Sequence, residues 1–202
     1  MHLEILTKEQ EELLPLVKMF SSEFGLVGGT AIALQLGHRE SIDFDLFKNG
    51  NINILKIRKR VSEVFHIENV RVEEPEEYTI TVNGVRLTFL NYPFNIKYTE
   101  KLEYTIKIPG ILTLGAMKAF ALGKRAKWKD YVDLYFIFRK HSLEEVTQKS
   151  AQIFGNEFNG KLFREQLSYY EDIDYTEQIV FMPKSSVSNE EIKKNLTEIS
   201  LS

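Results

Sequence analysis

The sequence predicts an α+β protein, a sheet-bearing first lobe followed by a C-terminal helical lobe. Three observations carry this. An apolar segment, Phe24 to Val27, runs through Gly28-Gly29-Thr30 into Ala31-Ile-Ala-Leu, which reads as strand, tight turn and helix. The middle of the chain is β-rich around Asn83-Gly84, the strongest short hairpin signal. From Leu112 onward the apolar residues recur at helical spacing.

In order, Thr7-Lys-Glu-Gln10 is a capping box, and Glu11 to Phe20 continues as an amphipathic helix that Pro15 is expected to kink or divide. Ile42-Asp-Phe-Asp-Leu46 alternates with period two, so Asp43 and Asp45 share one strand face and Ile42, Phe44 and Leu46 the other. Ile52 to Phe65 is a second amphipathic helix. Strands are expected over His66–Val72, Tyr78–Val82, Val85–Asn91 and Leu102–Ile108, ending at Pro109-Gly110. That break sets a lobe boundary, 1–109 and 110–202. Helices are expected over Thr113–Lys124, Lys129–Lys140, Ser142–Phe154, Gly160–Ser168 and Asn189–Ile199, with Met182 to Ser188 as a linker.

The 202 residues suffice for one well-buried domain or two small lobes sharing a core, and 43% hydrophobic with 27% charged content is that of an ordinary globular protein. There is no cysteine, which excludes disulfides and thiolate metal sites. No segment reads as a leader or a membrane span, so the cytoplasm is the expected location and no membrane partner is expected. A net charge of −3 argues against a generic nucleic-acid coat, although Lys118, Lys124, Arg125, Lys127 and Lys129 make a local basic cluster. Such a cluster serves equally as the solvated, basic end of a helix.

The chemistry concentrates in residues 24–47. Paired glycines let the backbone approach a ligand, and the helix start beyond them presents free N–H groups to phosphate. Two aspartates on one strand face, roughly 7 Å apart at Cα, converge on a hard cation. Each half alone has a plain reading, a turn and the wet face of a strand, but two like charges side by side are disfavoured unless a cation or solvent intervenes. Together they describe a site for a nucleoside triphosphate with magnesium.

Gly28-Gly29, thirteen residues, then Asp43-Phe-Asp45 resembles the nucleotidyltransferase superfamily signature. The fuller string Gly-Gly-Thr-Ala, Gly37-His-Arg, Ser41-Ile-Asp-Phe-Asp-Leu resembles its AbiEii/AbiGii abortive-infection toxin branch, as does Lys118 to Asp130-Tyr-Val-Asp133-Leu. The resemblance implies a nucleotidyltransferase-fold mixed sheet flanked by helices, and a Mg2+-dependent transfer of NMP from an NTP to RNA, such as a tRNA end, or to protein. It also implies the toxin half of a toxin–antitoxin or phage-defence pair, with a cognate antitoxin as partner. On that reading Asp43 and Asp45 hold the metal, and Gly28, Gly29, Thr30, Arg39 and Ser41 hold the nucleotide. Lys118 contacts phosphate; Asp130 orients or deprotonates the acceptor, or supports the lysine. Asp133 reads as structural, His38 as a turn or phosphate contact, and Trp128, Tyr131 and Tyr135 as core before a base-stacking face. The third carboxylate many relatives carry falls at Thr88, with Glu73, Glu74, Glu76 or Glu77 as substitutes. That departure keeps two rivals open: a nucleotide-binding module without turnover, and a phosphohydrolase using the same aspartates.

Overall fold

A computed structural model describes residues 1–202. Helix α1 (Lys8–Met19) is opened by the expected capping box, Gln10 N–H donating to the Thr7 hydroxyl at 3.3 Å and Thr7 N–H to the Gln10 side chain at 3.1 Å. It continues through Pro15, because Leu13, Leu16 and Val17 bury its apolar face and a proline there removes one backbone bond only. Strand β1 (Gly25–Val27) feeds directly into α2 (Gly28–Leu36), so the glycines are themselves the first helical residues. Strand β2 (Phe44–Lys48) follows, then α3 (Ile54–Ser62), β3 (Asn69–Glu74), β4 (Glu77–Val82) and β5 (Val85–Asn91). Phe44 and Leu46 enter the core as the alternation predicts, but Ile42 precedes the strand and is 56% exposed.

These strands form one mixed sheet in the order β1-β2-β5-β4-β3, with β2 and β5 parallel and every other pair antiparallel. The expected single strand over Leu102–Ile108 is instead a hairpin, β6 (Tyr98–Leu102) and β7 (Ile106–Pro109). Its turn places Glu103 at φ 45°, a conformation usually announced by glycine or asparagine, which is why the sequence hid it.

The remaining helices are α4 (Ile111–Leu122), α5 (Trp128–Phe138), α6 (Leu143–Phe154), α7 (Gly160–Gln166) and α8 (Asn189–Leu201). One continuous hydrophobic core runs from Ile5 to Leu196 and includes both halves of the chain, with α4 and α5 against α2. Trp128, Tyr131 and Tyr135 are buried in it. The last helix packs through Ile192 and Leu196, and is tied to α5 by Trp128 Nε1 donating to Asn189 at 3.0 Å and the Tyr135 hydroxyl to Glu191 at 3.0 Å.

Between α7 and α8 the chain straps across both halves. Trp128 N–H donates to the Asp174 carbonyl, and Asp174 N–H to that of Ala126. Further on, Glu40 N–H donates to Val180 and Met182 N–H to His38. The linker from Met182 is therefore anchored at its start. No helix is long and apolar enough to cross a membrane.

Candidate active site

A cleft of about 550 Å³ opens between one face of the sheet and α4. Strand alternation builds its floor. In β5, Val85, Leu87 and Phe89 are buried in the core, leaving Arg86, Thr88 and Leu90 on the cleft side. In β2 the same face carries Asp45 and Phe47, with Asp43 just before the strand. The register sets Asp45 beside Thr88 on one side and Val27 on the other.

The Gly28-Gly29 turn is shaped by these same side chains. Gly28 has φ 73°, and a Cβ there would lie 2.0 Å from Asp45 Oδ2; one on Gly29 would lie 2.7 Å from Arg39 Nη2. No side chain caps this helix start, so its first N–H groups remain free at the cleft wall. Burial raises the Asp45 carboxyl above the ordinary range, and the neighbouring Asp43 charge adds to it. Asp43 is paired with Arg86.

Thr30 and Arg39 are committed to the protein itself. The Thr30 hydroxyl is buried and faces Ser41 O at 3.1 Å, Ser41 Oγ at 3.0 Å and the Asp43 carbonyl, so it holds the segment leading into β2. Arg39 donates from Nε and Nη2 to the two oxygens of Asp133 at 2.8 and 2.9 Å. Ser41 lines the cleft.

Lys118 reaches the cleft from α4 but is 5% exposed, paired with Asp130 and, at 2.8 Å, with Asp133. Burial disfavours its charge, yet the two carboxylates outweigh this and raise its pKa. Asp130 is fully buried behind the lysine and also accepts from Arg125 at 3.1 Å, which is the supporting geometry. Burial pushes Asp130 up, while Lys118 and Arg125 bring it below the usual value. Asp133 takes Arg39, Lys118 and His38 together; the Arg39 and Lys118 charges and the His38 hydrogen bond overcome burial and hold it well below the carboxylate range. His38 therefore does not line the cleft, contrary to the expected phosphate contact. It is buried, its pKa lowered by desolvation against the pull of Asp133.

Several lining residues carry no strong sequence signal. Phe47, Tyr92, Leu90, Met117 and Phe120 make one half of the cleft apolar. Phe47 extends the alternation of Asp43 and Asp45 by one step, a signal that was present. Lys124 and Arg125 stand with Lys127 and Lys129 at the basic mouth, the last two sharing Glu177 from the strap, whose carboxyl they hold down to about 2. Glu77 lines the cleft on β4; the Thr79 hydroxyl donates to it at 2.7 Å and lies 3.3 Å from Thr88. Of the four glutamates named as substitutes for a third carboxylate, it is the one that lines the cleft.

The cleft thus brings together Asp45 on its strand, Asp43 just before it, a free helix start, a buried lysine and an apolar wall. Residues 19–108 match the family described as Nucleotidyl transferase AbiEii toxin, Type IV TA system. An uncharacterized protein of Aquifex aeolicus (strain VF5) is 29% identical over 175 residues, 83% of this chain and 84% of that one. Among solved structures, the nucleotidyltransferase toxin MenT4 (Rv2826c) from Mycobacterium tuberculosis H37Rv superposes with TM-score 0.64 at 12% identity, covering 95% of this chain and 81% of that one. JHP933 from Helicobacter pylori superposes with TM-score 0.58 at 17% identity, over 97% and 92%. The fold is that of the nucleotidyltransferases, and the segment 19–108 is similar to a nucleotidyl transferase family.

Proposed function

We propose that this protein transfers a nucleotidyl group from a nucleoside triphosphate to RNA, with Mg2+, as the toxin of a toxin–antitoxin pair acting in the cytoplasm. One observation carries the reading. Asp43 and Asp45 flank the free helix start at Gly28-Gly29, and Lys118 also faces into the cleft.

The donor set fits a magnesium ion. No group of three or more acidic, histidine or cysteine side chains is present, but Mg2+ is commonly held by one or two carboxylates with water and substrate phosphates completing its shell. Asp43 and Asp45 would hold it, and when bound it supplies charge neutralisation at the reacting phosphate. The N–H groups of Gly28 and Gly29 and the Ser41 hydroxyl would hold the distal phosphates, and Lys118 would meet the charge that develops on the leaving pyrophosphate. Arg39 and Asp130 act behind these groups, fixing Asp133 and Lys118. The base would lie against Phe47, Tyr92 and Phe120. The basic mouth at Lys124 and Arg125 suits a polyanionic acceptor, which favours RNA over protein.

Thr88, where a third carboxylate would stand, favours a second reading as a nucleotide-binding module without turnover. Equilibrium binding of each NTP with and without Mg2+, to wild type and Asp45→Asn, tests the site. Magnesium-dependent binding that the variant loses is expected; binding indifferent to both overturns the assignment.

A further inference from the structure

We propose that Arg86 is a counter-ion that closes the aspartate pair to free divalent cations and moves to the triphosphate when nucleotide enters. The inference rests on the magnesium–nucleotide reading of the cleft. In the parallel β2–β5 register Phe44 lies beside Leu87 and Asp45 beside Thr88, so Asp43 stands beside Arg86 one step earlier. Arg86 shares the cleft face with Thr88 and pairs with Asp43, the one side-chain partner it makes. Its side chain remains 38% exposed and that of Asp43 21%, so the guanidinium is not locked in the core as Arg39 is.

The consequence is electrostatic. A dication held by Asp43 and Asp45 would lie within about 5 Å of the guanidinium charge, enough even at the dielectric of water to weaken its binding roughly ten-fold. It would also have to compete for Asp43, whose oxygen already accepts from the guanidinium. A triphosphate offers Arg86 paired oxygens of higher charge, the geometry a guanidinium fork matches best. Transfer of Arg86 to phosphate frees Asp43 at the moment a metal arrives with its nucleotide. Occupancy of the metal site is thereby tied to occupancy of the nucleotide site.

The test is Mn2+ binding to nucleotide-free protein, read by the electron paramagnetic resonance of free Mn2+, beside binding of inorganic tripolyphosphate without metal. Arg86→Ala and Arg86→Gln are expected to bind Mn2+ roughly ten-fold more tightly than wild type, and to lose several-fold in tripolyphosphate affinity. Arg86→Lys keeps the charge and should stay close to wild type for Mn2+. Adding Asp43→Asn to Arg86→Ala should erase the gain. Equal or weaker Mn2+ binding in Arg86→Ala and Arg86→Gln, or unchanged tripolyphosphate affinity, overturns the proposal and leaves Arg86 a strut for Asp43. Absence of Mn2+ binding in every variant, with or without tripolyphosphate, overturns the magnesium site itself.

Discussion

Arg39 and Asp133 meet through two hydrogen bonds of 2.8 and 2.9 Å, and both residues are buried. The bond pins the loop before the aspartate strand to α5. With His38 and Lys118 on the same carboxylate, it makes Asp133 the junction of the two halves. Replacing it by Asn leaves Arg39 and Lys118 incompletely paired in the interior. Loss of one partner of a buried pair costs about 3–5 kcal/mol, which urea denaturation of Asp133→Asn should show.

The same junction sets the pH dependence of stability. His38 is buried neutral, with its pKa below that of the unfolded chain. As pH falls below about 6.5 the unfolded state takes up a proton that the native state refuses, and stability declines. Asp133 is held well below the ordinary carboxylate range, so its contribution is full above about pH 4 and is lost as pH falls further toward its folded value. Urea midpoints measured from pH 7.5 to 3 should decline in these two windows, the first flattened by His38→Gln and the second by Asp133→Asn.

Gly28→Ala should damage the site more than the fold. The left-handed backbone costs about 1 kcal/mol for a non-glycine residue, while the new Cβ collides with Asp45 Oδ2. The expected result is a modest fall in the denaturation midpoint with loss of magnesium-dependent nucleotide binding, measured on the same sample. Binding that survives unchanged would show that Asp45 is not needed where it stands.

Asp45→Asn should act in the opposite sense on stability. Because burial and Asp43 raise its folded pKa, Asp45 favours the native state fully only below its unfolded value, about 3.9, and that benefit is gone once pH passes the folded value. At neutral pH the ionised group is a burden that the amide removes. A higher thermal midpoint together with lost nucleotide binding is expected, whereas a lower midpoint would mark Asp45 as structural.

Much of this was legible locally. The strand, glycine turn and helix at residues 24–36, the hairpin at Asn83-Gly84 and the two aspartates on one face follow from periodicity and turn chemistry, whereas Thr88 was singled out only through the family resemblance. The pairings that complete the site do not. Arg39 with Asp133, Arg86 with Asp43, and Lys127 with Glu177 join residues far apart in the chain, and no local spacing encodes them. The apolar wall was hidden for a related reason: Phe47 on β2, Tyr92 just after β5 and Phe120 on α4 are far apart in the chain. Arg39 and Thr30 read as ligand contacts because a charge or hydroxyl near a phosphate turn is so often one; here buried partners hold both, although Arg39 also lines the cleft.

The central claim is nucleotidyl transfer, and the most direct measurement is label transfer from α-labelled ATP, CTP, GTP and UTP, with magnesium, onto total bacterial RNA and onto lysate protein. Wild type would be run beside Asp45→Asn. The account predicts label from one nucleotide in the RNA pool, absent with the variant. Label confined to protein would move the acceptor to that class. No label in either pool, with magnesium-dependent nucleotide binding intact, would contradict transfer and leave a binding module with Thr88 where catalysis needs a carboxylate.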